Sequence, residues 1–489
     1  MIIAMLMLSI TTCQPNIAGQ EKSLQQYISQ PVAYARIGTA LGVQESMALA
    51  ARQTITTPAL TSFIGQPLPS TTPPSIAAVC SGGGYRAAIA SLGLMQGLAA
   101  IGLLDAVTYW APLSGSTWAT TAWMTHNMAL NDLTAYLKTQ LSVFPGTQPL
   151  DKMAIVDNLR TKLTSLRLLS FNDFQGALLA NIFLQPQSPP SATPDHSQTL
   201  CLSNLAPIIA SGNYPIPIFS AVIGETAPRY QWMELSPFEV GSPYLSSWIP
   251  TTALGKTFTK GISYDSYPEE KLGFVLGLCG SAYAASINDI INAELLPELE
   301  ASYNENLSSS WLAYLSAELP TYPLRFFPPQ IRNFSKGLAS SPLPTDDNVT
   351  LLDAGMSCDL PFHPMLRRNI PIYIVCDASD YCTDIPTNMM KVVQSYATAN
   401  NYPLPPLDYQ ALTTQQVTIC TDPTNPQAPL IIYIPNFFSF STFKTTYTAT
   451  EFDTVFNGIA QAVVTNAAQI KAAIQAKINA PTSNTWRTV

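Results

Sequence analysis

From Ile76 to Leu113 the chain reads as an apolar run, three glycines, a helix of small residues and a second apolar run. Two strands joined by a helix of that length pair in parallel, and the crossover returns with a right-handed sense. Strand Ile76–Cys80, helix Tyr85–Leu104 and strand Val107–Leu113 therefore predict a βαβ unit, and with it a mainly parallel sheet covered by helices. Later segments extend the pattern. Ile216–Ile223, Val349–Leu352, Ile370–Val375 and Pro429–Pro435 read as further core strands, and Phe452–Ile478 as a closing helix with apolar residues at helical spacing. The fold class expected is α/β.

Between these segments, residues 22–56 read as helical and the proline-rich stretch 65–75 as a linker into the first core strand. A helix is predicted from about Thr117 through Met128, more helices over residues 130–185, and a surface loop over 185–198. Residues 241–345 turn irregular, with a helix at Ala282–Ala301 and repeated prolines, and are read as a cap or lid. No repeat of the length that marks solenoids or propellers is visible.

Composition narrows the partners. With a net charge of −8 the chain has no basic footprint for nucleic acid, and simple adhesion to anionic membranes is disfavoured. Charged residues are only 11% against 47% hydrophobic, which fits a large core or apolar surface turned to a lipid interface. The N-terminal run MIIAMLMLSITTC is shorter than the roughly 18 residues that span a bilayer, but suits the apolar region of an export signal. Residues 1–21 are therefore read as a signal peptide or lipoprotein leader. The expected location is secreted or cell-envelope, with a cytoplasmic protein touching membranes as the alternative. Eight cysteines without a CxxC pair predict no metal site and leave the redox compartment open.

Two short motifs carry the chemistry. Gly82-Gly83-Gly84, after a strand and before a helix, lets backbone N–H groups converge on one spot where negative charge is favoured. No Lys-Ser/Thr follows, so a nucleotide P-loop is excluded. Arg86 stands alone in an otherwise apolar helix, close enough to meet a phosphate or carboxylate. Ser114, in Pro112-Leu113-Ser114-Gly115-Ser116, reads as a nucleophile on a strand-to-helix turn or as a helix N-cap, though Pro112 and Ser116 replace the glycines of the common pentapeptide. The base for such a serine is open between Asp353, at a strand end before Ala-Gly, and His363, ten residues on; His126 and His196 lie in less suggestive settings.

SGGGYRA, LSGSTW and LLDAGMSCDLPFHPML, in that order, resemble the catalytic module of the cytosolic phospholipase A2 and fungal lysophospholipase family. MELSPFEVG, LGLCGSAYA, NYPLPPLDY and PLIIYIP extend the similarity over roughly residues 70 to 480. The resemblance implies a patatin-like three-layer α/β core with a lid, residues 22–489 forming one catalytic domain. It implies Ser114 as nucleophile, Asp353 as its base, Gly83 and Gly84 as oxyanion donors and Arg86 as the phosphate contact. It implies hydrolysis of phospholipid or lysophospholipid at a membrane or micelle interface, with no metal, no cofactor and no stable protein partner. Calcium-dependent members carry a C2 domain, for which the residues ahead of the match are too few, so calcium-driven docking is not expected. The alternatives are a Ser–Asp–His esterase using His363 and an inactive lipid-binding relative whose serine turn is spoiled by Pro112.

Overall fold

The computed structural model describes residues 32–69, 73–143, 152–165, 167–184, 196–224, 230–282, 328–380 and 382–480. The predicted leader 1–21 and nearly all of the predicted helix Ala282–Ala301 lie outside them. Seven strands frame the site: β1 (Ile76–Cys80), β2 (Tyr109–Pro112), β3 (Ile216–Pro217), β4 (Phe219–Ile223), β5 (Asn348–Asp353), β6 (Ile372–Asp377) and β7 (Leu430–Pro435).

A six-stranded sheet runs in the order Thr418–Cys420, β7, β6, β1, β2, β3, parallel except for its Thr418–Cys420 edge. Every residue of β1, β2, β6 and β7 is buried, as expected of strands covered on both faces, and this is why they appear in sequence as unbroken apolar runs. The register sets Cys376 beside Cys80 and Cys80 beside Pro112, so three strands end together. Ligand sites of parallel sheets form at that carboxyl edge.

Helix α1 (Gly84–Ala100) follows β1, and α2 (Gly115–Thr125) follows β2. The small residues of α1 let α3 (Ala449–Thr465) approach closely. A Cβ added at Gly93 would stand 2.5 Å from the Phe456 carbonyl oxygen, and one at Gly97 2.8 Å from Val463 Cβ. The closing helix expected over Phe452–Ile478 is two helices, α3 and Ala467–Asn479, because Asn466 leaves the helical conformation. The helix expected within 22–56 is Val43–Ile64, preceded by short strands at Ala33–Tyr34 and Arg36–Ile37.

The larger correction is a second sheet. Seven strands in the order Gln330–Arg332, β5, β4, Gln231–Leu235, Glu239–Ser242, Ser247–Pro250, Arg36–Ile37 pair antiparallel throughout. The single strand expected at Ile216–Ile223 is divided between the sheets. Pairing with β2 ends at Pro217, the Ile218 N–H donates to the Trp110 carbonyl at 3.0 Å, and Phe219 opens the pairing with Leu235. Val349–Leu352 belongs to β5, which pairs antiparallel with β4 instead of joining the parallel sheet. Its first four residues alternate between half-buried and buried, the mark of a strand with one covered face. Within the expected cap, residues 241–242 and 247–250 belong to strands of this sheet as well.

Candidate active site

Where β2 leaves the parallel sheet, Ser114 adopts φ 50°, ψ −122° and caps α2. A residue with a Cβ rarely accepts that backbone, and such strain is held only where neighbours over-determine it. They do so here. A Cβ at Gly115 would come within 1.8 Å of the Gly84 carbonyl oxygen, so only glycine lets the serine turn lie against the glycine loop. The Ser116 hydroxyl donates to the Ser81 carbonyl at 2.6 Å and ties the two turns together. Pro112 fits for a plain reason. The Leu113 N–H donates to the Cys80 carbonyl at 3.0 Å, so the preceding residue turns its nitrogen to the other side, where pairing with β3 has already ended.

The glycine loop supplies donors. Gly83 has φ 131° and Gly84 φ 58°, conformations that favour glycine, and both are hemmed in. A Cβ at Gly83 would lie 2.6 Å from the Ala378 carbonyl oxygen, and one at Gly84 2.2 Å from that of Thr442. The Gly82 N–H donates to the Asp359 carbonyl at 3.0 Å, whereas among the described residues neither the Gly83 nor the Gly84 N–H has an acceptor. Two free amides at the start of α1 suit a negative oxygen.

Asp353 arrives from the other sheet. It ends β5, is 1% exposed, and accepts the Gly355 N–H on Oδ1 at 2.9 Å, while its own N–H donates to the Ser281 hydroxyl at 3.0 Å. Burial pushes its carboxyl up to about 7; hydrogen bonds from the Gly355 N–H, the Ser114 hydroxyl and the Ala282 N–H pull the other way without cancelling it. The serine and the carboxyl thus come close together at the seam of the two sheets.

The remaining candidates fall elsewhere. His363 is stacked on Trp232 at 4.1 Å between centroids and 11° between planes, with Tyr396 at 3.8 Å on it as well; burial pushes its imidazole down to about 3. Neither Ser114 nor Asp353 is among its contacts. His126 Nε2 pairs with the Phe183 carbonyl at 2.7 Å, and the His196 side chain lies outside the described residues. Arg86 differs from expectation. It is 2% exposed, and all three guanidinium nitrogens donate within the protein: Nε to the Ala378 carbonyl at 2.7 Å, Nη2 to Thr442 Oγ1 at 3.0 Å, Nη1 to Asp380 and the Phe440 carbonyl. It pins the 440–442 segment over the glycine loop. Motif reading missed Asp359, whose carboxyl lies against Gly82 and Gly355; the only signal was an acid six residues beyond Asp353.

A family model described as the lysophospholipase catalytic domain matches residues 76–401. Human cytosolic phospholipase A2 zeta is 24% identical over 463 residues, covering 82% of this chain and 53% of that protein. Mouse cytosolic phospholipase A2 gamma is 34% identical over 228 residues, covering 45% of this chain and 35% of that protein. The chain spans about half the length of the first of the curated relatives it matches. Among solved structures, human GIVD cytosolic phospholipase A2 superposes with a TM-score of 0.74 at 18% identity, covering 91% of this chain and 68% of that one. Its complex with methyl gamma-linolenyl fluorophosphonate gives 0.68 at 18% identity, covering 91% and 66%. The fold is the patatin-like α/β type expected from the motifs.

Proposed function

The chain belongs to the lysophospholipase catalytic-domain family, and on that footing we propose that it hydrolyses fatty-acyl esters of phospholipids or lysophospholipids through an acyl-enzyme on Ser114. The observation that carries this reading is the meeting of a strained serine, a buried carboxyl beside it and two amides that have no acceptor among the described residues. Asp353, its proton affinity raised by burial to about 7, takes the Ser114 hydroxyl proton as the oxygen attacks the acyl carbonyl. The carbonyl oxygen becomes an oxyanion held by the Gly83 and Gly84 N–H groups; one such donor contributes about 10²–10³ in rate. Asp353 returns the proton to the departing alcohol, then activates the water that deacylates the serine.

Hydrolysis is tested by mass-spectrometric analysis of products from lysophosphatidylcholine micelles and phosphatidylcholine vesicles, with a fluorophosphonate probe to mark the nucleophile. Labelling at Ser114 with release of free fatty acid supports the proposal; a folded protein that does neither favours the inactive relative. The His363 alternative has little support from an imidazole locked between aromatic rings. His363→Phe, which keeps a ring in the stack, is expected to hold kcat/KM within about threefold, whereas a histidine base would lose about 10³ or more.

Arg86 as a phosphate contact requires the substrate to displace Asp380, which is 46% exposed and closes the outer side of the guanidinium. Asp380→Ala is then expected to lower KM for lysophosphatidylcholine about threefold and leave KM for a phosphate-free p-nitrophenyl ester unchanged. Equal changes for both substrates would leave Arg86 with a purely structural role. Part of the proposed lid, 283–327, lies outside the described residues. No described helix is long and apolar enough to cross a membrane, and the relatives bear the name cytosolic. On the relatives' name we favour the cytoplasmic alternative, with contact at a lipid interface, over export.

A further inference from the structure

Asp359 sits between the two turns that make the site. Its carbonyl accepts the Gly82 N–H at 3.0 Å, fixing it to the glycine loop. Its carboxyl lies over the bare Cα atoms of two glycines: a Cβ at Gly82 would be 2.9 Å from Asp359 Oδ1, and one at Gly355 2.7 Å from the same atom. Those hypothetical Cβ positions also lie 3.2 Å from Ser114 Cβ and 3.2 Å from Asp353 Oδ1, respectively. The side chain thus lies close to both nucleophile and base, beside the loop that offers the oxyanion amides, and it is partly open to solvent.

We infer that Asp359 is a positioning residue whose protonated form is the working form, and that its ionisation turns hydrolysis off at alkaline pH. This rests on the Ser114–Asp353 reading. A neutral carboxyl at that place tolerates the Asp353 anion and the charge that develops on the substrate oxygen. An ionised one adds a second negative charge next to both, and at the distances of a single site that opposition amounts to about tenfold or more in rate. The surroundings favour the neutral form. Burial, then Asp353, Asp377 and Asp380, raise its proton affinity and Arg86 lowers it, leaving the carboxyl at about 8; the neighbouring Cys358 thiol is itself pushed up by burial and stays neutral. The Asp353 charge raises the proton affinity of Asp359, so the two carboxyls titrate as a coupled pair that retains a proton near neutrality.

The test is the pH dependence of kcat/KM on lysophosphatidylcholine micelles, whose head group does not titrate near neutrality, with fluorophosphonate labelling rates in parallel. Wild type is expected to give a bell. Asp359→Asn is expected to keep the acid limb and lose the alkaline one, so that it exceeds wild type about tenfold at the alkaline end. Asp359→Ala, checked by thermal unfolding, should show the same profile if Asn folds poorly. A structural role alone would lower the whole curve without changing its shape. An alkaline limb that persists in either folded variant overturns the inference and leaves the Ser114–Asp353 reading standing. A wild type that neither hydrolyses nor labels overturns that reading, and this inference with it.

Discussion

Ser114→Ala and Asp353→Asn are each expected to lose about 10³-fold or more of acyl-ester hydrolysis while remaining folded. Alanine at 114 keeps the backbone demand of φ 50° and removes only the hydroxyl, so the loss reports on the nucleophile. Asparagine at 353 still accepts the Gly355 N–H through its side-chain oxygen but takes no proton from serine. If the two act as one unit, the double variant is hardly slower than either single one, because each alone leaves only binding and the oxyanion amides. Release of free fatty acid at matched protein concentration measures all three. Wild-type rates in either single variant would falsify the dyad. Losses that multiply would instead point to two independent roles.

The parts legible in the sequence are those whose meaning is local. Strand, glycines and helix from Ile76 to Ala100 sit within one continuous stretch, and a backbone that must bend sharply next to a helix writes itself as small residues. The same holds for Ser114-Gly115-Ser116, although why Gly115 must be glycine becomes visible only when Gly84 of the other turn lies against it. What was hidden depends on the second sheet. An apolar run ending in Asp-Ala-Gly looks alike whether its strand pairs parallel or antiparallel, so Asp353 was recognisable while its delivery from a separate sheet was not. Arg86 shows the opposite limit. Its setting within α1 suggested a free cation, and the groups that occupy it, Ala378, Asp380, Phe440 and Thr442, come from loops far along the chain. Pro112 looked like a defect by comparison with the common serine pentapeptide. Strand pairing with the neighbour has already ended at that point, so the ladder asks no N–H of residue 112.

A carboxyl whose proton affinity is raised by burial also weakens the fold, and Asp353→Asn should reveal by how much. An acid whose carboxyl sits at about 7 when folded, against 3.8 when exposed, binds its proton more tightly in the native state. The native state therefore loses stability as pH rises from about 4 through about 7, and the full cost is present above that range. The difference corresponds to about 4 kcal/mol at most. Part of it reaches the protein through Asp359, whose proton the Asp353 charge helps to retain. Asparagine removes this burden and introduces a buried amide N–H₂ group, for which a missing acceptor costs about 1–3 kcal/mol. The variant is thus expected to unfold below wild type at pH 4 to 5 and roughly a few degrees above it at pH 8 to 9. Thermal unfolding of both proteins across that range decides the matter. If the gap between them stays constant with pH, the carboxyl is not held neutral by its burial; if wild type gains on the variant as pH rises, Asp353 is stabilised as an anion and is a poor base. A variant that gains stability at alkaline pH while losing activity everywhere would mark Asp353 as a residue kept for its chemistry at the expense of the fold.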